Sequence, residues 1–442
     1  MVINRIKNYL QEFKQLYLNK DMFIIGALGY GSGIPFTLVF ITYTFNLAEK
    51  GVNLKDIGLF GLAGLPFTIK FVWAPLVDGL KIPFLSKLGQ RRSWLVLSQV
   101  ALGIIICKFG FLDPSTQMRE VVYLAIILSF VSATYDIAYD AIRVELLSQD
   151  KQGAGAGVSI IGYRIGMLIS GGLALFLAEI YSWQMSFIII GASFIFCVAA
   201  TFLSREPEKD LGEIVGREST LKWLKMFILE PFVKFIQEHK NWLVIILFVV
   251  FYKIGDALLG KMVNPFYQQM GFTKSEVALI IKVFGFAVTI VGGLIGGWAV
   301  YKLGLLKSLL IFGVLQALSN FAYVWLASVG HNINVLTVVI ITDNITGAMG
   351  TAAFTAYLAS LCNLRFTATQ YALLTSFMSL GRWFTNAPSG YLVDKTNGLG
   401  LSWEMYFIIT VVIAIPGLIL IKYLKINDKM LVDKDALKGL DD

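Results

Sequence analysis

Long apolar segments separated by short polar loops run along this chain from residue 21 to residue 424. Each is close to the length of about 20 residues that a helix needs to cross a bilayer. Before them, residues 1–20 carry apolar side chains at helical spacing among lysines, which predicts an amphipathic segment at the membrane surface. We predict twelve transmembrane helices: 21–48, 55–78, 93–112, 120–146, 154–179, 183–203, 241–267, 275–301, 306–328, 333–361, 369–394 and 402–424.

A longer polar stretch divides these segments into two groups of six. We therefore predict an N-terminal bundle over 21–203, a cytoplasmic linker over 204–240, a C-terminal bundle over 241–424 and a cytoplasmic tail over 425–442. Two short echoes at corresponding points of the halves suggest a repeat. The run Gly89–Ser93 resembles Gly304–Ser308, and Arg164 has a counterpart in Arg382. The pattern predicts an all-α membrane protein built from two pseudo-symmetric six-helix bundles.

Composition agrees with this prediction. Hydrophobic residues make up 57% of the 442 residues and charged residues only 15%, which excludes an ordinary soluble protein of this length. The formal net charge is +8, and its lysines and arginines lie mainly in the N-terminus, every second loop, the linker and the tail. By the positive-inside rule both termini are cytoplasmic, and the basic charge needs no nucleic-acid partner. The three cysteines have no metal-site spacing, so we expect neither metal nor cofactor.

The fourth predicted span carries three charges on one side. Asp136, Asp140 and Arg143 are separated by offsets of four and seven, which return nearly to the same direction on a helix. Ionisable groups at membrane depth cost about 2.5–3.5 kcal/mol each and rarely face lipid. The stripe must therefore face protein or water. Glu145 falls on roughly the opposite side, and we expect it to be solvated at the cytoplasmic end.

In a transporter built from two six-helix bundles, spans one, four, seven and ten line a central cavity. Several other charged residues of this chain lie in these spans. The aspartates could carry protons, because desolvation and neighbouring cations tune a carboxyl pKa. They could instead form fixed ion pairs that hold helices together; Lys253 and Asp256, three apart, can pair along one helix. The proton-coupling candidates are Asp136, Asp140, Asp256 and Asp343.

Intramembrane cations suggest an anionic substrate, since the planar fork of arginine can bond both oxygens of a carboxylate. The alternative is that they are counter-ions of the aspartates. Lys70, in the second span, is a weaker candidate because that helix is usually peripheral. The substrate-binding cations are Arg164, Lys253, Lys282 and Arg382.

The loop between spans two and three resembles the signature of facilitator-type transporters, in which an aspartate and basic residues latch the halves at the cytoplasmic side. Asp78, Gly89, Arg91 and Arg92 carry the likeness. This chain departs from the usual pattern, because the gap from aspartate to arginine is stretched and Pro75 replaces a small residue. We take Asp78, Arg91 and Arg92 as gating candidates.

Motifs in nine of the predicted spans carry a resemblance to a known family. They are GYGSGIPF in span one, KFVWAPLVD in span two, RRSWL entering span three, YDIAYDA in span four, GAGAGVSIIGYRIGMLISGGLAL in span five, YKIGDAL in span seven, LLIFGVLQALSN in span nine, GAMGTAAF in span ten, and TATQYALL with GRW in span eleven. Through these motifs, spread over nearly its whole length, the chain resembles the AmpG permeases of the major facilitator superfamily. The resemblance implies the major facilitator fold and proton-driven import of anhydromuropeptides across the bacterial inner membrane for cell-wall recycling. It also implies a monomer that is not an enzyme.

A muropeptide is a sugar that carries peptide carboxylates, so its cavity would need cations together with aromatic or amide groups. Tyr163 and Asn344 are the polar candidates that we retain, beside a wider set of Tyr30, Tyr139, Asn264, Gln316 and Asn320. Two alternatives stay open. One is transport of another anionic solute, such as acetyl-coenzyme A or a nucleotide. The other is a membrane-embedded transferase, for which the His–Asp or Asp-x-Asp pair expected at an interface is missing.

Overall fold

Helices account for all the regular secondary structure in the described part of the chain. The computed structural model describes residues 2–53, 56–57, 60–207 and 225–424, and no β-strand occurs within those ranges. Ten helices among the described residues are long and apolar enough to cross a membrane: Lys20–Glu49, Gln90–Phe109, Met118–Leu146, Gln149–Ile180, Trp183–Leu203, Trp242–Gln269, Phe286–Leu303, Leu305–Val329, Ile333–Ser360 and Trp403–Tyr423.

These ten helices confirm the multi-pass, all-α architecture and coincide with ten of the predicted spans. The other two predicted spans, 55–78 and 369–394, are described as shorter helical pieces, so the count of twelve stays a prediction. In the second span, glycine and proline divide the helix into single turns around Gly64 and Pro66 and again around Pro75. Proline removes a backbone donor and clashes with the preceding turn, which explains the interruptions.

The first compact unit comprises Met1–Leu146, Val158–Phe235 and Asn363–Ser376. Its helices, numbered along the chain, are α1 (Val2–Tyr17), α2 (Lys20–Thr37), α3 (Tyr43–Glu49), α4 (Leu65–Ile69), α5 (Ala74–Gly79), α6 (Gln90–Phe109), α7 (Met118–Leu146), most of α8 (Gln152–Leu168), α9 (Ala174–Ile180), α10 (Trp183–Ala192), α11 (Phe194–Leu203), the start of α12 (Glu230–Glu238) and the first half of α19 (Thr367–Phe384). Short 3₁₀-helices occupy Gly61–Gly64, Lys70–Val72, Pro83–Leu88 and Leu364–Phe366.

The second unit comprises Leu147–Gly157, Ile236–Cys362 and Phe377–Asp442. It contains α13 (Trp242–Phe251), α14 (Ile254–Gln269), α15 (Lys274–Leu279), α16 (Phe286–Leu303), α17 (Leu305–Val329), α18 (Ile333–Ser360), α20 (Asn386–Val393) and α21 (Trp403–Leu420), with 3₁₀-helices at Gln149–Lys151 and Ile421–Tyr423. The domain boundaries drawn from the sequence remain a prediction. The predicted tail and most of the predicted linker lie outside the described residues.

Two predicted spans of unit 1 contain a wide π-helical turn. The first, Leu38–Thr42, follows Pro35, whose missing N–H disturbs the regular α-helical ladder. The second, Ile169–Leu173, contains a Gly-Gly pair. The Thr42 hydroxyl donates to the Ser170 carbonyl oxygen at 2.6 Å, so the two wide turns are joined directly. Such π-turns are frequent at functional sites.

Each unit has its own apolar core. In unit 1, Tyr43 packs edge-on against Phe109, with ring centroids 4.8 Å apart. In unit 2, Phe266 packs edge-on against Phe407 at 4.8 Å. Close backbone approach in unit 1 depends on Gly33, where any side chain would overlap the Tyr163 carbonyl oxygen. Small residues allow helices in membranes to approach in this way.

Candidate functional site

The charged stripe of α7 faces other charged and polar groups of unit 1. The Asp140 carboxylate lies 3.7 Å from Lys70 Nζ and 3.7 Å from Arg143 Nη2. Asp136, one turn earlier, accepts a 2.6 Å hydrogen bond from the Ser32 hydroxyl. The stripe therefore faces protein, as its spacing predicts, and its members have different partners.

The two aspartates differ in electrostatics. Asp140 lies between two cations, each 3.7 Å from its carboxylate. Asp136 is bonded to a neutral hydroxyl, and among the described residues no cation lies within 4.0 Å of its carboxylate. Losing its negative charge would leave no neighbouring ion pair broken. The two carboxylates thus have different partners, two cations for Asp140 and a neutral hydroxyl for Asp136.

Arg143 is a central residue of this cluster, to which the sequence assigned no separate role. Its side chain is fully buried, and its Nη2 also donates to the Tyr371 hydroxyl at 2.8 Å. The guanidinium carbon lies 5.3 Å from the centre of the Tyr371 ring, within the range of a cation–π contact. Arg143 therefore joins α7 to the beginning of α19 within unit 1.

Arg164, on α8, differs from Lys70, Arg143 and Lys253, each of which has a carboxylate within 4.0 Å. Its side chain is half-buried, and no carboxylate of the described residues lies within ion-pair distance of it. An arginine at membrane depth without a protein counter-ion is suited to an anionic ligand. Its neighbour Tyr163 is also half-buried. Two polar candidates of the wider set are occupied by internal bonds: Tyr30 donates to Ser193, and the Tyr139 hydroxyl donates to the Ser159 hydroxyl.

Unit 2 contains a second polar cluster, beside a break between α13 and α14. Lys253 stands at that break, and its Nζ lies 3.2 Å from Asp256 Oδ2, as the three-residue spacing predicts. Gln316, from α17, accepts a 2.8 Å hydrogen bond from Lys253 and donates a short one to Asp256. The amide thus bridges both members of the ion pair.

Asp343 in unit 2 parallels Asp136 in unit 1. Its carboxylate accepts a 3.0 Å hydrogen bond from the Tyr323 hydroxyl, and no cation of the described residues lies within 4.0 Å of it. Each unit therefore holds one aspartate against a cation and another against a hydroxyl. Asn344, the next residue, donates to the Ile340 carbonyl and accepts from Thr289. The side chains of Lys282 and Arg382 lie outside the described part of the structure.

A third cluster surrounds Asp78, at the end of α5. Arg91 donates to Asp78 Oδ1 at 2.6 Å and to both carboxylate oxygens of Glu145, at 2.7 and 3.0 Å. Asp78 also accepts 2.7 Å bonds from the backbone N–H and the hydroxyl of Thr369, in the first turn of α19. A carboxylate at this position satisfies N–H groups that a helix start leaves unpaired and complements the helix dipole.

Glu145 corrects one prediction. It was expected to be solvated, yet its side chain is 3% exposed and forms a bidentate ion pair with Arg91. The helical wheel places it away from Asp136 correctly, but it does not show that another helix covers that side. Arg92 points elsewhere than Asp78: its guanidinium donates to the carbonyls of Thr201 and Phe202, at the end of α11. Cations stabilise the C-terminal end of a helix in this way.

Glu206 completes this region from the segment after α11. Its carboxylate accepts from the backbone N–H groups of Arg91 at 2.6 Å and Arg92 at 3.0 Å, so it caps the start of α6. Burial raises the pKa of the Glu206 carboxyl, and the N–H groups that it accepts from act in the opposite direction. No group of residues in the described part of the chain could hold a metal ion.

Uncharged partners are what sequence inspection missed. Ser32, Tyr323 and Tyr371 each bond a charged candidate, but a lone hydroxyl in an apolar span carries no signal of its own. Gln316 was considered only for sugar contact. A buried amide in a membrane span could have been suspected as an ion-pair partner, because it needs hydrogen bonds there.

Comparisons with known proteins identify the family of the chain. A family model described as Major Facilitator Superfamily matches residues 22–384. The putative transporter AmpG 4 of Rickettsia felis is 38% identical over 418 residues, covering 93% of this chain and 99% of that protein. The anhydromuropeptide permease of Escherichia coli strain K12 is 36% identical over 430 residues, covering 95% of this chain and 84% of that protein.

A solved structure supports the fold. The crystal structure of the human organic anion transporter MFSD10 (TETRAN) matches with a TM-score of 0.65, covering 92% of this chain and 99% of that one. The sequences are 12% identical, so this likeness speaks for the fold alone.

Proposed function

This chain belongs to the Major Facilitator Superfamily and, within it, to the AmpG permeases, and from that premise we propose that it imports anhydromuropeptides together with protons. The relative named anhydromuropeptide permease supports this cargo class, and we propose N-acetylglucosaminyl-anhydro-N-acetylmuramyl peptides released from the cell wall as the cargo. We place the protein in the bacterial inner membrane as a monomer, with both termini in the cytoplasm. The role is transport for cell-wall recycling and not catalysis.

One observation carries the proposal of proton coupling, namely the difference between the two aspartates of α7. Asp140 is held by Lys70 and Arg143, whereas Asp136 is held by a hydroxyl. A proton on Asp136 cancels a charge that has no ion-pair partner within 4.0 Å among the described residues. We assign Asp136 as the primary proton carrier and Asp343, with its tyrosine partner, as the second candidate. Asp140 and Asp256 act as fixed members of ion pairs.

The cargo's carboxylates need cations without a carboxylate of their own. Arg164 meets that description among the described residues, so we propose that it binds a peptide carboxylate of the cargo. Lys253 is already shared between Asp256 and Gln316 and would have to exchange partners to bind substrate. Lys282, Arg382, Tyr163 and Asn344 remain candidates from the sequence.

The cluster around Asp78 is proposed as a gate element. Its carboxylate fastens the first turn of α19 to α5 and α6 through Thr369 and Arg91. Arg91 also joins Glu145 on α7, the helix that carries the proposed proton site. Release of α19 would leave the buried Asp78 carboxylate short of hydrogen-bond donors. The contact therefore favours the arrangement in which α19 stays packed against α5 and α6. Arg92 takes part only as a cap of α11.

The test is uptake of labelled anhydromuropeptide into proteoliposomes, with and without an inward proton gradient. We expect the gradient to drive accumulation in wild type. Asp136→Asn should keep substrate exchange at equal concentrations on both sides but lose accumulation, because exchange requires no net proton movement. Uptake that ignores the gradient would refute coupling, and unchanged accumulation by Asp136→Asn would refute its role.

Asp140→Asn is the matched control on the same helix face. It removes the partner of two buried cations, so we expect both exchange and accumulation to fall. Competition by acetyl-coenzyme A and by nucleotides, in the same vesicles, tests the cargo. If either compound inhibits uptake although muropeptide is present at a saturating concentration, that compound is favoured as the cargo.

A further inference from the structure

A polar cavity of about 570 Å³ lies within unit 1, lined by none of the charged residues assigned above. Its walls come from the end of α3, the segment between α6 and α7, and the start of α10. In the predicted orientation these are outer loops, opposite the cytoplasmic N-terminus. Its polar lining consists of Asn46, Glu49, Lys50, Asp113, Ser182, Trp183 and Gln184.

The sequence of α3 explains why three of these side chains meet. Asn46, Glu49 and Lys50 are spaced three and four apart, so they share one face of the helix. Trp183 begins α10, whose start is capped by the Ser182 side chain. Two helix ends thus bring an amide, a carboxylate, an ammonium and an indole around one space.

The charged groups of this cavity are largely engaged. The Trp183 indole donates to Glu49 at 2.6 Å, and its ring stacks on Phe187 with centroids 6.0 Å apart. The Asp113 carboxylate accepts from the hydroxyl of Ser115 at 2.7 Å and from its backbone N–H at 3.1 Å. These bonds lower the pKa of Asp113, and Lys50 contributes in the same direction. The indole and the two carboxylates of this cavity are therefore held by internal hydrogen bonds.

One lining group lacks the partner that burial demands. Asn46 is 3% exposed, and its Oδ1 accepts no hydrogen bond from the described residues. The hydroxyl of Tyr43, one turn earlier on α3, is in the same situation. A buried polar atom left unsatisfied costs about 1–3 kcal/mol. Such an atom beside an open polar cavity calls for a donor from outside the chain.

We propose that this cavity binds a neutral saccharide bearing hydroxyl and N-acetyl groups. Its volume falls in the range of small-molecule sites, about 300–1,000 Å³. The partly exposed Trp183 ring offers an apolar face with a polar edge, and the neighbouring amides and carboxylates can accept hydroxyl hydrogens. An anionic ligand would meet two carboxylates, and an apolar ligand would leave Asn46 unsatisfied. The inference rests on the proposed function for the identity of the saccharide, which we take to be the sugar part of the proposed cargo.

The test measures saccharide binding without transport. The full-length protein in lipid nanodiscs is mixed with N,N′-diacetylchitobiose, and saturation-transfer difference NMR gives its Kd. Asn46→Leu keeps the approximate size but removes the amide, and we expect Kd to rise at least tenfold. Asn397→Leu makes the same change at an exposed asparagine of unit 2 and should leave Kd unchanged. Trp183→Phe, which keeps a ring but loses the bond to Glu49, should raise Kd several-fold.

Each outcome decides the matter. Absence of saturation transfer in wild type, or equal Kd values for wild type and Asn46→Leu, overturns the proposal and leaves water as the occupant. Asn46→Leu should melt no lower than wild type, because it removes an unsatisfied buried acceptor; if it fails to fold, Trp183→Phe supplies the comparison. Saccharide binding in a protein that moves no muropeptide would refute the proposed function while sparing this site.

Discussion

Replacing Arg91 by leucine tests the most buried ion cluster of unit 1. The Arg91 side chain is 1% exposed, and its partners Asp78 and Glu145 are 0% and 3% exposed. The substitution leaves two buried carboxylates without their shared cation. Breaking a buried pair by removing one partner costs about 3–5 kcal/mol, because the remaining charge stays uncompensated. We expect a loss of that size in the free energy of unfolding.

The neighbouring arginine supplies the control. Arg92 is less buried and bonds only to backbone carbonyls through its side chain, so Arg92→Leu should cost about 1 kcal/mol. Thermal unfolding of both variants in one detergent, followed by tryptophan fluorescence, gives the comparison. On the scale of soluble domains of 150–250 residues, about 2–4 °C per kcal/mol, Arg91→Leu should melt roughly 6–20 °C below wild type.

A further variant separates charge from packing. Combining Arg91→Leu with Asp78→Asn and Glu145→Gln removes the stranded charges, and we expect part of the lost stability to return. Equal melting temperatures for Arg91→Leu and Arg92→Leu would refute the reasoning, since they would show that burial and carboxylate pairing add nothing. No recovery in the triple variant would show that shape, and not charge, holds the cluster.

Three further predictions use other parts of the molecule. Gln316→Leu removes the amide that bridges Lys253 and its carboxylate partner. We expect the free energy of unfolding to fall by about 1–3 kcal/mol and uptake into proteoliposomes to slow. An unchanged melting temperature and uptake rate would show that the bridge is not needed. Burial raises the pKa of Glu206, so its protonated form stabilises the fold at low pH and that contribution is lost as pH rises through the folded pKa. The melting temperature of Glu206→Gln should therefore rise relative to that of wild type as the pH increases from about 4 to about 7. Glu206→Ala removes the cap of α6 and should lower the free energy of unfolding by about 1 kcal/mol. A Glu206→Gln variant that instead became less stable relative to wild type as the pH rises would refute this reasoning. Gly33→Ala should destabilise by about 1–3 kcal/mol because its methyl group overlaps a carbonyl, unlike Gly260→Ala in open space.

The helices and the direction of the charged stripe could be predicted because both depend on local periodicity. Apolar segments of membrane length recur along the chain, and ten of them are helices that could span a bilayer. Asp136, Asp140 and Arg143 share a face because α7 is a regular helix. Lys253 and Asp256 pair because three residues separate them on neighbouring turns. In these cases the sequence neighbour is also the neighbour in space.

Partners far apart in sequence could not be predicted from spacing. Glu145 meets Arg91 across 54 residues, and Gln316 meets Lys253 across 63. Those contacts depend on which helices pack together and on their rotation, which no single-helix pattern contains. The break after Phe251 was missed for a related reason. Nothing in the local run WLVIILFVVF departs from a good membrane helix, so the interruption reflects packing around the charged pair.

The wide turn at Leu38–Thr42 sets the direction of the residues that follow it on the helix. It accommodates an extra residue within the run from α2 to α3, so its five residues cover about the same rotation as one regular α-helical turn. Deleting one residue there would restore a regular turn and leave Asn46, Glu49 and Lys50 facing their cavity. Deleting Thr44, in the regular part of α3, would instead rotate all three by about 100° and turn them away from it. The part of the helix before the turn, including Ser32 beside Asp136, would keep its setting in both cases.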